Sequence, residues 1–186
     1  MCGKGIGAAP KLLCMRRPVI VAIALLGLLA GCAAGPPARA WAASVCSALT
    51  PWRAEINTLT SRAQQQTPQS TTPEQAKDNL VQMLEGARDA SERARSGVAA
   101  AGVPEVEGGA EVAERMTASL IKVRDAYGKA RDTVSGLPTG EASTFYDGVS
   151  AAMVTLQSEY AASSLDTTNL HSVELQVAFA EAPECH

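Results

Sequence analysis

The sequence predicts an all-α fold, an antiparallel up-down four-helix bundle with a short extra C-terminal helix. Three observations predict it. Apolar residues in the body of the chain recur at steps of three and four, the period of one helix face. Alanine is abundant, aromatics make up only 4% of the 186 residues, and strongly β-prone runs are absent, a bias that suits helices packed through small side chains. Proline- and glycine-bearing tracts divide the pattern into four long segments joined by short loops, which favours antiparallel neighbours.

The first helical pattern covers residues 39 to 66. Trp41, Val45, Leu49, Trp52, Ile56, Leu59 and Ala63 step by 4, 4, 3, 4, 3 and 4 along one face. Thr50-Pro51 interrupts it, because Thr is a good N-cap and Pro suits a first helical position. Two helices, or one with a kink, both satisfy this pattern. The tract TPQSTTP, residues 67 to 73, is a loop by composition. Thr72-Pro73 opens the second helix, and Gln75 completes a capping box with Thr72. Leu80, Met83 or Leu84, Ala87, Ala90 or Ser91, Ala94 and Val98 are its expected buried side. Gly102-Val103-Pro104 stops it, and EVEGG makes a turn.

The third helix covers residues 109 to 135. Val112, Met116, Leu120, Val123, Tyr127, Ala130, Val134 and Leu137 step by 4, 4, 3, 4, 3, 4 and 3, the clearest heptad-like seam in the chain. Gly136-Leu137-Pro138 ends it. The fourth helix spans 141 to 163, with Phe145, Val149, Met153 (or Ala152), Leu156 and Tyr160 inward. After a connection at 165 to 172, Ser172 caps a short last helix that carries Leu175 and Phe179 and stops before Pro183.

The front of the chain reads as an address. Arg16 and Arg17 precede an apolar run from Val19 to Ala30, followed by small residues. This is the layout of a secretory leader. The run is shorter than the roughly 20 apolar residues of a spanning helix, and Gly35-Pro36-Pro37 blocks its extension. Leu29-Ala30-Gly31-Cys32 resembles the lipobox of bacterial lipoproteins. The resemblance implies a lipid on the Cys32 thiol and peptidase cleavage before it, with Leu29, Ala30 and Gly31 as the recognition residues. It therefore implies a lipoprotein signal peptide at 1–31, with Met15 as an alternative start. A lipidated Cys32 and short tether at 32–38 follow, then a helical domain at 39–186. Acyl chains at roughly 0.8 kcal/mol per buried CH₂ give stable anchoring. The expected location is outside the cell, lipid-anchored to the membrane and facing outward.

Charge constrains the partners. The whole chain carries 16 basic and 19 acidic residues. All the acidic ones follow Cys32, while Lys4, Lys11, Arg16 and Arg17 precede it, so the mature chain has 12 basic residues and a net charge of −7. Such a chain offers no electrostatic footprint for nucleic acid. It gains nothing by charge from anionic head groups, so the lipid must do the holding.

Of five cysteines, Cys2 and Cys14 fall in the leader and Cys32 takes the lipid. Cys46 and Cys185 remain, and two cysteines in an oxidising compartment usually pair. An up-down path returns the chain end to the level of Cys46, so topology and disulfide support each other. The alternative is two free buried thiols. Histidine occurs only at 171 and 186, and CxxC and HExxH spacings are absent, so no metal or other cofactor is expected. His186, at the chain end, is expected to fray.

The segments WAASVCSAL (41–49), AGVPEVEGG (101–109), RDAYGKARDTVSGLP (124–138) and ELQVAFAEAPEC (174–185) resemble small secreted proteins and lipoproteins of actinobacteria. That resemblance implies a helical exported domain with a cysteine near each end, and it implies no reaction. The residues themselves point away from an enzyme. Glu111 with Glu114, and Asp147 with Glu159, lie among polar helical positions rather than in a desolvated cleft. No G-x-S-x-G or phosphate-loop pattern occurs in the mature chain. The expected function is a non-catalytic interaction or structural module with an envelope protein as partner. The alternative is a carrier or sensor that holds a small apolar ligand between helices near Met83, Met116 and Met153.

Overall fold

The computed structural model describes residues 35–66, 72–163 and 172–186. The leader, the lipobox, most of the 67–73 loop, and the 164–171 connection with His171 lie outside the described residues. Within them the chain is all-helical, with no strand. Five α-helices follow in order: α1 (Ala38–Gln66), α2 (Pro73–Ala100), α3 (Gly109–Gly136), α4 (Ala142–Ala162) and α5 (Val173–Glu181). A 3-10 turn, Pro183–Cys185, closes the chain.

Of the two readings of the first segment, the structure takes the continuous one. α1 runs unbroken through Pro51. A proline there deprives the Ser47 carbonyl of its donor. Ser47 and Pro51 are both exposed, so the lost bond falls on the solvent side, where water can donate to the carbonyl. Meanwhile Trp41, Val45, Leu49 and Trp52 stay on one buried face across the proline. That burial on both sides outweighs the local break.

α2 begins as its sequence signals. The Thr72 side chain accepts from Gln75 N, and the Gln75 side chain accepts from Thr72 N, a complete capping box. α5 is capped in the same manner by Ser172, whose hydroxyl accepts from Leu175 N. The α2–α3 turn depends on two left-handed residues, Gly102 (φ 74°) and Gly108 (φ 70°), a conformation that glycine alone adopts freely.

α2 packs along both α1 and α3. α4 lies on α3 and touches α2, while α5 and the 3-10 turn lie on α1. The buried residues form two clusters. The larger joins Trp41, Val45, Leu49 and Trp52 of α1 to Ala90, Ala94 and Val98 of α2, to Val112, Met116, Leu120 and Val123 of α3, and to Leu175 and Phe179 of α5. Trp41 and Phe179 meet edge to face, with ring centroids 5.9 Å apart. The smaller joins Leu84 of α2, Ala130 and Val134 of α3, and Ala152 of α4. The α3 seam is buried throughout its helical length except at Tyr127, which is partly covered.

α4 buries less than its pattern suggests. Phe145 and Ala152 are its buried residues. Tyr160, expected inward, is exposed, as is Tyr146. The reason lies in its neighbours: among the described residues α4 rests mainly on α3 and only lightly on α2, so much of its surface is not covered by a second helix.

Candidate functional site

Three features of the described residues have the geometry of a site: the disulfide junction, the point where the chain enters the first helix, and the groove between α3 and α4.

At the junction, Cys46 of α1 and Cys185 of the 3-10 turn are bonded, with S–S 2.05 Å and Cα atoms 5.0 Å apart. The pairing expected from the cysteine positions is therefore present. The Thr50 hydroxyl donates to the Glu184 carbonyl at 3.1 Å, and Arg39 donates to the Glu181 carbonyl at 3.4 Å. His186 does not hang loose: its Nε2 lies 2.9 Å from the Ala180 carbonyl, to which it donates when it carries the ring proton. An open groove of about 310 Å³ runs beside the disulfide, lined by Leu49, Arg53, Phe179 and His186 among others.

At the chain entry, Gly35, Pro36 and Pro37 form an extended strap against the α2–α3 turn. Glu105 N donates to the Pro36 carbonyl at 3.0 Å, and Trp41 N donates to the Pro37 carbonyl at 3.0 Å. The buried Trp41 indole donates to the Gly102 carbonyl at 2.8 Å. A Cβ on Gly35 would stand 2.0 Å from the Val103 carbonyl oxygen, so only glycine fits there. Pattern reading treats 32–38 as a simple tether. The structure joins everything from Gly35 onward to the helical body.

Between α3 and α4 lies a second open groove, of about 350 Å³, floored by small residues such as Ala130, Gly148 and Ala152. Lys129 and Glu159 pair across it. Nearby, burial first and then the neighbouring Tyr160 push the Tyr127 hydroxyl up to about 12.

Two of the carboxylates considered in the sequence have basic partners. Glu159 is engaged by Lys129, and Glu111 pairs with Arg115 at 3.5 Å. Among the described residues, the carboxyl held furthest below its ordinary range is one the sequence did not single out. Glu92 accepts from Arg95 at 2.6 Å and from Arg124 of α3 at 2.9 Å. Arg95 first and Arg124 second hold its carboxyl at about 2. The spacing of Glu92 and Arg95 is visible in the sequence, but the third member arrives from another helix. Nor do the three methionines share one space: Met116 belongs to the Trp41 cluster, whereas Met83 and Met153 pack against the Leu84 cluster.

Among the described residues, no group of three His, Cys, Asp or Glu side chains is placed to hold a metal. No described helix is long and apolar enough to cross a membrane. Exposed apolar side chains concentrate on the last two helices, at Tyr146, Val154, Tyr160, Val173 and Val177, with Val103 apart in the α2–α3 turn. Cys32, Leu29, Ala30 and Gly31 lie outside the described residues. The chain matches no family model, no curated protein and no solved structure.

Proposed function

We propose that the protein is an exported lipoprotein of the actinobacterial kind. In this reading it is held to the membrane through an acylated Cys32 and acts without catalysis, as a module that binds an envelope protein. The observation that carries this reading is the Cys46–Cys185 bond, which ties the end of the domain to its beginning. Structural disulfides persist in oxidising compartments outside the cytoplasm. It stands beside a basic-then-apolar leader that ends in Leu29-Ala30-Gly31-Cys32.

The bundle belongs to the same reading. α1, α2 and α3 make three columns, with α2 between the other two. α4 packs mainly on α3, and α5 packs on α1. Both helices carry exposed apolar side chains, Tyr146, Val154 and Tyr160 on α4 and Val173 and Val177 on α5. Exposed apolar side chains of this kind, where they adjoin, are what protein partners cover. The carrier reading has less support, since the methionines that suggested it sit in two separate clusters.

Cys32→Ala tests the anchor. The expected outcome is release from the membrane fraction or accumulation of an unprocessed precursor. Mass spectrometry of the wild type should find an acylated residue 32 at the N-terminus; any other mature N-terminus overturns the reading. Cross-linking in the native envelope then identifies what lies against α4 and α5.

A further inference from the structure

We infer that the end of the domain built from the α2–α3 turn is a lipid-facing surface, with Val103 at the point of contact and the Gly35–Pro37 strap fixing that end against the bilayer. The inference rests on the reading of Cys32 as the acylated residue.

The first support is reach. Only Ala33 and Ala34 stand between Cys32 and Gly35. Three residue steps span at most about 11 Å of extended chain. Gly35 itself has no slack. Its position against the Val103 carbonyl admits no side chain, and Pro36 and Pro37 are each held by a backbone hydrogen bond. The turn that holds the strap is fastened in turn to the core, through the Trp41 indole and the Gly102 carbonyl. Whatever anchors residue 32 therefore brings the turn with it.

The second support is chemical. Val103 is 48% exposed at the tip of this turn, while the adjacent Pro104 is buried and braces it. An apolar tip beside an acyl anchor suits an interface of head groups and upper chains. The nearby Glu105 and Glu107 are exposed, so attraction to anionic head groups is not what holds the turn; a neutral, zwitterionic surface is the matching one. Size argues against a protein in this place. A folded partner of 100 residues has a radius of gyration of about 13 Å, whereas the chain from residue 32 to Gly35 reaches at most about 11 Å.

The test uses the full-length lipidated protein in phosphatidylcholine vesicles that carry a head-group spin label. Val103→Cys and Ser135→Cys are each labelled with a fluorophore, the remaining domain cysteines being paired. Ser135 lies near the far end of α3, about 39 Å along the helix from Gly109. Fluorescence at position 103 should be lost and that at position 135 retained. Gly35→Ala, which forces the strap off the turn, should leave vesicle flotation unchanged and restore fluorescence at 103. Flotation with equal quenching at both positions overturns the inference alone. Failure of the wild type to float overturns the anchor reading, and this inference with it. Hydrogen exchange on the unlabelled protein guards against a label that disturbs the turn: amides 105–107 should exchange more slowly on vesicles than in the Cys32→Ala form, and equal exchange counts against the contact.

Discussion

Trp52 donates its indole N–H to the Oγ of Ser91, 3.1 Å away, and that hydroxyl donates onward to the Ala87 carbonyl at 2.8 Å. Both residues are buried, Ser91 completely. A buried indole needs an acceptor, and here the acceptor comes from the facing helix, so the bond fixes the rotation of α2 against α1. Ser91→Ala leaves the donor without a partner. The expected loss is about 1–3 kcal/mol, the usual cost of an unsatisfied buried donor. Urea unfolding should show a lower midpoint with an unchanged slope.

The bond between Cys46 and Cys185 closes a loop with a sequence separation of 139 residues. In the chain-entropy treatment a loop of this size is worth about 5 kcal/mol, within a usual range of about 2–5. Cys185→Ser should therefore lower the melting temperature. Wild-type protein in reducing agent should melt at the same lowered temperature, because both lack the same link. An unchanged melting point under reduction would show that the packing of α5 on α1 suffices without it.

Most of the helical boundaries could be read from the sequence because their signals are local. Thr72 with Gln75, Ser172 with Leu175, and the glycines at 102 and 108 each act within a few residues. The α3 seam was legible because one face of a helix repeats. What could not be read depends on where neighbours stand. Pro51 looks like a break until Trp41, Val45, Leu49 and Trp52 are seen to share one buried face across it. Tyr160 fits the inward pattern of α4, yet it stays exposed on a helix that, among the described residues, rests mainly on α3. The site was the least legible part. Gly35-Pro36-Pro37 signals the end of a leader, and nothing in those residues reveals the Glu105 amide and Val103 carbonyl that receive them.

Glu92 provides a pH dependence with a definite sign. Its hydrogen bonds to Arg95, then Arg124, lower its folded pKa from 4.5 to about 2. A depressed carboxyl stabilises the fold above the unfolded value and ceases to do so as pH falls toward the folded one. The contribution is thus present above about pH 4.5 and lost between there and pH 2. Solvent screening keeps it modest, since 40% of the Glu92 side chain is exposed. Glu92→Gln should flatten this part of the stability–pH curve measured by unfolding at fixed ionic strength. Added salt should shrink the difference between the two proteins.

Two glycines in helix interiors separate intrinsic helix preference from packing. Alanine at such a position normally gains about 0.5–1 kcal/mol over glycine. At Gly128 of α3 the new Cβ would lie 3.6 Å from Arg88 Cδ, an ordinary contact, so Gly128→Ala should stabilise the protein by about 0.5–1 kcal/mol. At Gly97 of α2 the same Cβ would stand 2.7 Å from Ala48 Cβ on α1. Ala48 has no flexible end to swing away, so the helix backbones must separate. Gly97→Ala should therefore destabilise by about 1–3 kcal/mol, the cost of overpacking, despite the same gain in helix preference. Chemical denaturation of the two variants in parallel reads the signs directly. Stabilisation at both positions would mean that α1 and α2 do not approach as closely as Ala48 and Gly97 require.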